Sequence, residues 1–197
     1  MPRYPQAELN PTRIRFFFPR RTLMAKFLFA LNGLVTDAGL RHGNWDKRVV
    51  AVHQHPTYQL MAAMQACDFH PEQSLEPLAQ YYSARGLDPV GARARAEQRV
   101  LRYTTQYGAL RDNLRRDGYR SDAASNQIGV AIGRDGTFIK TWEGHHRFAL
   151  ARLLGLSTVT LDVRWIHTVW HRHATNQATS TPRTLEIAIE AALDQRL

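Results

Sequence analysis

The sequence predicts an α+β fold: a small mixed sheet carrying one short helix, wrapped by a helical N-terminal region. Three observations predict it. Through residues 1–120 the apolar side chains recur mostly at helical three- and four-residue spacings. Between 127 and 166 the period falls to two on either side of one helical stretch. The composition, 44% hydrophobic and 22% charged, is that of an ordinary globular chain and excludes a mainly disordered one. With 197 residues the chain can bury one real core. The composition shifts part-way, giving an arm and helical region over 1–102 and a mixed core with a C-terminal helix over 103–197, packed as one unit.

The elements follow in order. Residues 1–20 are rich in Pro and Arg and hold Phe16-Phe17-Phe18, so they read as an extended arm laid on an apolar surface. A helix is predicted over about 21–36, where Leu23, Phe27, Leu31 and Leu34 form one stripe. Residues 38–48 read as a polar loop. Pro56 opens a helix over 56–66. Leu75, Leu78 and Tyr82 mark another near 74–84. A long helix spans about 90–116 on the seam Val100, Tyr103, Tyr107, Leu110 and Leu114, and Asp117-Gly118 stops it. Ile128, Val130 and Ile132 alternate as a strand; Arg134-Asp135-Gly136 turns the chain; 137–142 returns beside it. A helix over 145–154 ends at Gly155, a strand follows through Val159, Leu161, Val163 and Trp165, and a last helix covers 183–196.

Charge and cysteine content narrow the function. Lys+Arg is 26 against 17 Asp+Glu, a formal net charge of +9, so the surface attracts phosphates: nucleotides, nucleic acid or anionic headgroups. Cys67 is the only cysteine, which excludes an intrachain disulfide and a cysteine-based zinc site and makes reducing cytoplasm the natural compartment. No signal-peptide core and no apolar run of membrane-spanning length is present in the sequence.

The sharpest chemical feature is Trp142-Glu143-Gly144-His145-His146-Arg147, where a strand ends and a helix begins. The first helical N–H groups lack intrahelical acceptors and carry the positive end of the dipole. Gly144 lets a ligand approach the backbone, and His145, His146 and Arg147 add donors and charge. Together they make a candidate phosphate cradle.

The stretch 128–165, from IGVAIGRDGTFIKTWEGHHRFALARLLG to the strand TVTLDVRW, resembles the ParB/sulfiredoxin-like superfamily, and YGALRDNLRRDGY resembles the helix before its first core strand. Gly43-Asn44-Trp45-Asp46 resembles a G-x-W-D element of one subgroup. The resemblance implies a nucleotide, ATP or another nucleoside phosphate, with its phosphates on the start of the box helix. His145 stands where sulfiredoxin carries its cysteine, which removes sulfinic-acid reduction. About thirty residues follow the last strand, too few for the helix-turn-helix of partition proteins. What remains resembles the kinase branch, with Glu143 in place of its Asp.

The function expected is thus a nucleotide-dependent phosphotransferase acting on a small hydroxyl acceptor such as a glycan end or an amino acid. A non-catalytic nucleotide switch, or a basic nucleic-acid-associated protein, is the alternative. Phosphoryl transfer needs a phosphate cradle, cations and a group that orients the hydroxyl. Glu143 is the candidate Mg²⁺ ligand, or it orients His145; otherwise it is a helix-start acid. Asp46, with Trp45 as anchor, is the candidate acceptor-orienting base; otherwise it is an N-cap. Asp112 and Asp117 have ordinary helical explanations. Ser125 and Asn126 are candidate phosphate contacts or else turn caps, His145 is a candidate catalytic group, and Trp45 and His167 are candidate substrate contacts, His167 being otherwise a surface or packing histidine. His53/His55 and His171/His173 have a spacing that on a strand would face one side and suit a metal, but no third ligand is evident. The arginines of 90–116 form either a solvated face or a nucleic-acid stripe.

Overall fold

The computed structural model describes residues 4–18, 39–120 and 127–195. The expected helix over 21–36, and Ser125 and Asn126, lie outside these. The fold is mixed α/β, as expected, but its sheet is larger than the sequence suggests. Among the described residues it has seven strands: β1 (Gln6–Leu9), β2 (Phe16–Phe17), β3 (Leu40–Arg41), β4 (Val50–Ala51), β5 (Ile128–Ile132), β6 (Phe138–Lys140) and β7 (Val159–His167). Their order is β1-β7-β5-β6-β2-β4. β1 and β3 share the outer edge of β7 end to end, β1 antiparallel on Val159–Asp162 and β3 parallel on Ile166–His167. The arm is therefore part of the sheet, not merely laid on it. Strands of two residues carry too little periodicity to be read from sequence, and tertiary pairing alone creates them.

Six α-helices are described: α1 (Pro56–Ala66), α2 (Pro71–Ser83), α3 (Pro89–Asp117), α4 (His145–Leu153), α5 (Thr168–Thr175) and α6 (Pro182–Asp194). Four begin with proline at the first turn, where its missing N–H costs nothing. Asp88 caps α3 by accepting from the Gly91 N–H at 3.0 Å, and Gly118, at φ +69°, closes it. α5 was not legible: the apolar-polar alternation of β7 runs to its edge without a break. His171 and His173 lie on this helix and not on a strand, and no cluster of three metal-ligating residues occurs among the described residues. No helix of the described residues is long and apolar enough to cross a membrane.

Three cores result. Alternate residues of β5, β6 and β7 (Ile128, Val130, Phe138, Leu161, Val163) meet Phe148 of α4 and Ala188 and Ile189 of α6 on one face of the sheet. α1, α2 and α3 pack with Ala149 and Leu150 of α4 in a second, helical core. On the opposite face of the sheet Phe18, Trp45, Ala131, Ile139 and Trp165 form a third. The chain ends are tied together. Gln6 donates to Asp162 at 3.2 Å, and Arg13 donates to the carbonyls of Ala192, Leu193 and Gln195 at the end of α6.

α4 belongs to two of these cores at once, so its buried side chains bear on both. Phe148 is fully buried, with its ring 5.4 Å from that of Phe17. Phe148→Ala is expected to cost about 3–5 kcal/mol, read as a lowered urea midpoint with the slope unchanged.

Candidate functional site

The site begins with why a helix starts at residue 145. Gly144 sits at φ +69°, and a Cβ there would stand 2.9 Å from the Gln127 carbonyl oxygen and 3.1 Å from the Ile128 Cα. The glycine is needed because two stretches of this chain cross there, not because a ligand comes close. Gly129 is needed for a similar reason: a Cβ would meet Thr141 Oγ1 at 2.5 Å and Glu143 Oε2 at 2.8 Å.

Beneath the crossing lies Lys140, wholly buried. Its Nζ donates to the carbonyls of Gly129 (3.1 Å), Thr141 (3.0 Å) and Glu143. Burial pulls its pKa down to about 7, with Glu143 opposing and Arg164 adding to the shift. A lysine inside an apolar strand, Phe138-Ile139-Lys140, was the one signal for it in the sequence.

The first three residues of α4 send their side chains in three directions. The His145 Nε2–H donates to the Thr141 carbonyl at 2.6 Å, and its ring packs edge-on against Phe17 and His55, each 5.2 Å away. His146 stacks on Tyr107 at 4.3 Å and shares a 3.1 Å hydrogen bond with its hydroxyl. Arg147 turns toward Tyr119, its guanidinium 6.0 Å from the ring centre. His55, the N-cap of α1, stacks on Phe17 at 4.0 Å, so the starts of α1 and α4 adjoin.

The surroundings keep these histidines neutral. Burial, then the positive charge of Lys140, holds His145 down to about 2. Burial, then Lys140 and Arg85, holds His55 to about 4; burial, then Arg85 and His55, holds His146 to about 4. Burial also pushes Tyr107 up to about 12.

On the Arg147 side a cavity of about 320 Å³ opens between α3 and the start of α4. Arg116, Arg120, Arg147, Tyr119, Asn113 and Asp117 supply its polar lining. The size suits a small ligand. Asp117 is engaged by Arg116, at 2.9 and 3.0 Å. Tyr119 donates to Gln127 Oε1 at 2.8 Å. No local pattern signals that the residues after the α3 stop fold back on Arg147.

Several expected site residues lie elsewhere. Asp46 is not at the box. Its carboxylate accepts from the Arg134 backbone N–H (2.9 Å) and from the Arg134 guanidinium twice (2.8 Å each), at the tip of the β5–β6 hairpin. The box crosses Gln127–Ile128 at the hairpin's other end, on the order of 20 Å away along the strand. Burial works to raise the Asp46 carboxyl, yet the hydrogen bonds from Arg134 and the nearby His167 hold it below its ordinary value. It caps no helix either: it sits inside the short 3-10 turn Trp45–Lys47. His167 is a clamp and not a substrate contact. It is 3% exposed, its Nε2–H donates to Gly43 O at 2.8 Å, and its Nδ1 accepts from Val169 N at 3.1 Å. Trp45 is core, 4% exposed and packed near Phe18, Trp165 and His167. Glu143 accepts from Thr141 Oγ1 at 2.9 Å and lies 4.0 Å from Arg164, whose guanidinium also meets Asp162 at 3.4 Å. The carboxylate expected to hold Mg²⁺ therefore has Thr141 as its hydrogen-bond donor and Arg164 as its charged neighbour.

Comparison with family models, curated proteins and solved structures finds no match for this chain.

Two outcomes are expected. In the histidine cluster the folded pKa values lie below the free value near 6.5. The stability tied to their neutral forms is therefore present above pH 6.5 and is lost as the pH falls toward 4. Thermal melts across that window should fall more steeply for the wild type than for His146→Phe, which keeps the stack and removes one titrating group. Asp46→Asn should lower the melting temperature through loss of the Arg134 pair and leave binding of ATP, measured by calorimetry, unchanged.

Proposed function

We propose that this chain binds a nucleotide, with the phosphates in the cavity between α3 and the start of α4. The observation that carries the reading is the convergence of Arg116, Arg120 and Arg147 on that cavity. Guanidinium groups match phosphate oxygens bidentately, and a helix start adds outward N–H groups and dipole. The resemblance of the Glu143–Arg147 box to the nucleotide-binding superfamily supports the same ligand class. Arg147 keeps the phosphate role expected of it, while His145 and His146 serve to fix the helix start. Neutral histidines suit that task, since charge on them would repel Arg85 and Lys140.

A second reading, phosphoryl transfer from ATP to a small hydroxyl acceptor, draws on one specific observation. Asp117 lines the cavity and is its one carboxylate among the described residues. It takes the orienting part that Asp46, bound at the hairpin tip, is too far away to play. With Glu143 turned to Arg164, the chain's own arginines are what neutralise the phosphates.

Calorimetry with ATP and ADP, with and without Mg²⁺, tests the binding. Arg147→Ala is expected to weaken it by about 1.5–3 kcal/mol, ten- to a hundredfold. Absence of heat with the wild-type protein overturns the reading. Wild-type turnover of ATP in the presence of serine or a sugar, lost in Asp117→Asn with binding retained, would select transfer over a switch.

A further inference from the structure

The arginines of α3 divide into two sets. Arg93 pairs with Glu97 and Glu76, Arg111 with Asp68 and Asp112, and Arg116 with Asp117. Among the described residues Arg95, Arg99, Arg102 and Arg115 form no ion pair and no hydrogen bond. Arg95 and Arg102 are exposed and Arg99 is half-buried.

Helical phase puts the first three of these on one line, with the paired Arg116 at its end, and sets Arg115 apart. At about 100° per residue, Arg95, Arg99, Arg102, Gln106, Asn113 and Arg116 fall within roughly 120° of arc. The helix acids Glu97 and Asp112 point elsewhere, and Asp117, near the line's end, is taken by Arg116. From Arg95 to Arg116 the line runs about 32 Å at 1.5 Å per residue. Its far end, Asn113 and Arg116, lines the cavity described above.

We propose that this face of α3 binds the sugar–phosphate backbone of a nucleic-acid duplex. The cations are all arginine, and the whole chain has 23 arginines against 3 lysines. Guanidinium is the group fitted to phosphate, where a general anion-attracting surface needs only charge. A helix edge carrying charge without interleaved aromatic rings suits a duplex backbone better than unstacked bases. The proposal rests on residues separate from the nucleotide cavity, apart from Arg116 at the shared end, and either reading can fail alone.

Fluorescence anisotropy with a labelled 20-base-pair duplex, from 50 to 200 mM salt, tests it. The wild-type protein should bind at low salt, with affinity falling steeply as salt rises and changing little between duplex sequences. The triple variant Arg95→Gln, Arg99→Gln, Arg102→Gln should lose at least tenfold in affinity at 50 mM salt. Its log–log salt slope should be shallower by about 2–3. ATP affinity should be the same in that variant. Arg115, exposed and about 200° round the helix from Arg95, is the control for net charge alone. Arg115→Gln should bind the duplex like wild type, and Arg102→Gln more weakly. Absence of duplex binding by a folded wild-type protein, equal losses in Arg102→Gln and Arg115→Gln, or polyglutamate binding as tightly as the duplex would each overturn the proposal.

Discussion

Everything near the candidate site depends on one buried ammonium group. Lys140 holds the carbonyls of Gly129, Thr141 and Glu143 at the point where β5, the end of β6 and the approach to α4 meet. Three carbonyls pointing into one small volume repel each other and are cut off from water. Each already accepts one bond, Gly129 from the Thr141 N–H, Thr141 from the His145 Nε2–H and Glu143 from the Gly129 N–H, and the lysine fills the second lone pair of all three. The lysine answers them with three N–H bonds, and its own charge is made tolerable by the oxygens it satisfies. Because Gly129 lies on β5 while Thr141 and Glu143 lie in the turn that leads into α4, the bond set fixes the direction in which α4 leaves the sheet.

From that direction the rest follows. α4 starts against Gln127–Ile128, which puts its first three side chains among three different neighbours: the α1 cap, the tyrosines of α3, and Tyr119. A motif that reads as one cluster in sequence is thus split in space. Two histidines lock the helix start in place, and only the arginine reaches the cavity. The charges that help keep the histidines neutral, on Lys140 and Arg85, are not the arginines that line the cavity.

The fold was legible where periodicity is long. The helices at 56–66, 90–116 and 145–154 and the hairpin around Arg134–Gly136 lie within a few residues of their expected places, because each carries its own stripe, cap or turn. β1 to β4 were not legible, since two to four residues become a strand only when a partner edge is waiting. At the site, the strand–glycine–helix junction and Arg147 were visible. The positions of Asp46, Trp45 and His167 were not. A Gly-rich acidic loop reads the same whether it reaches a ligand or is pinned by Arg134 and His167. The signal that decides is a charged residue eighty-eight positions away, and no local pattern reports it.

The pairing of β1 with β7 also has a consequence in time. Gln6 and Asp162 are 156 residues apart, and Arg13 anchors to carbonyls still further along the chain. At about 5–20 residues per second, a ribosome would expose the N-terminal strand roughly 8–30 s before its partner exists. During that interval the strand's apolar residues, Ala7 and Leu9, and the phenylalanines at 16–18 have no native place to go. The helical layer of α1, α2 and α3 can gather first, from contacts close in sequence, while the sheet waits for its last long strand. The same linkage that closes the finished molecule therefore makes its first segment the last to be secured, and the one most in need of shelter while the protein is being made.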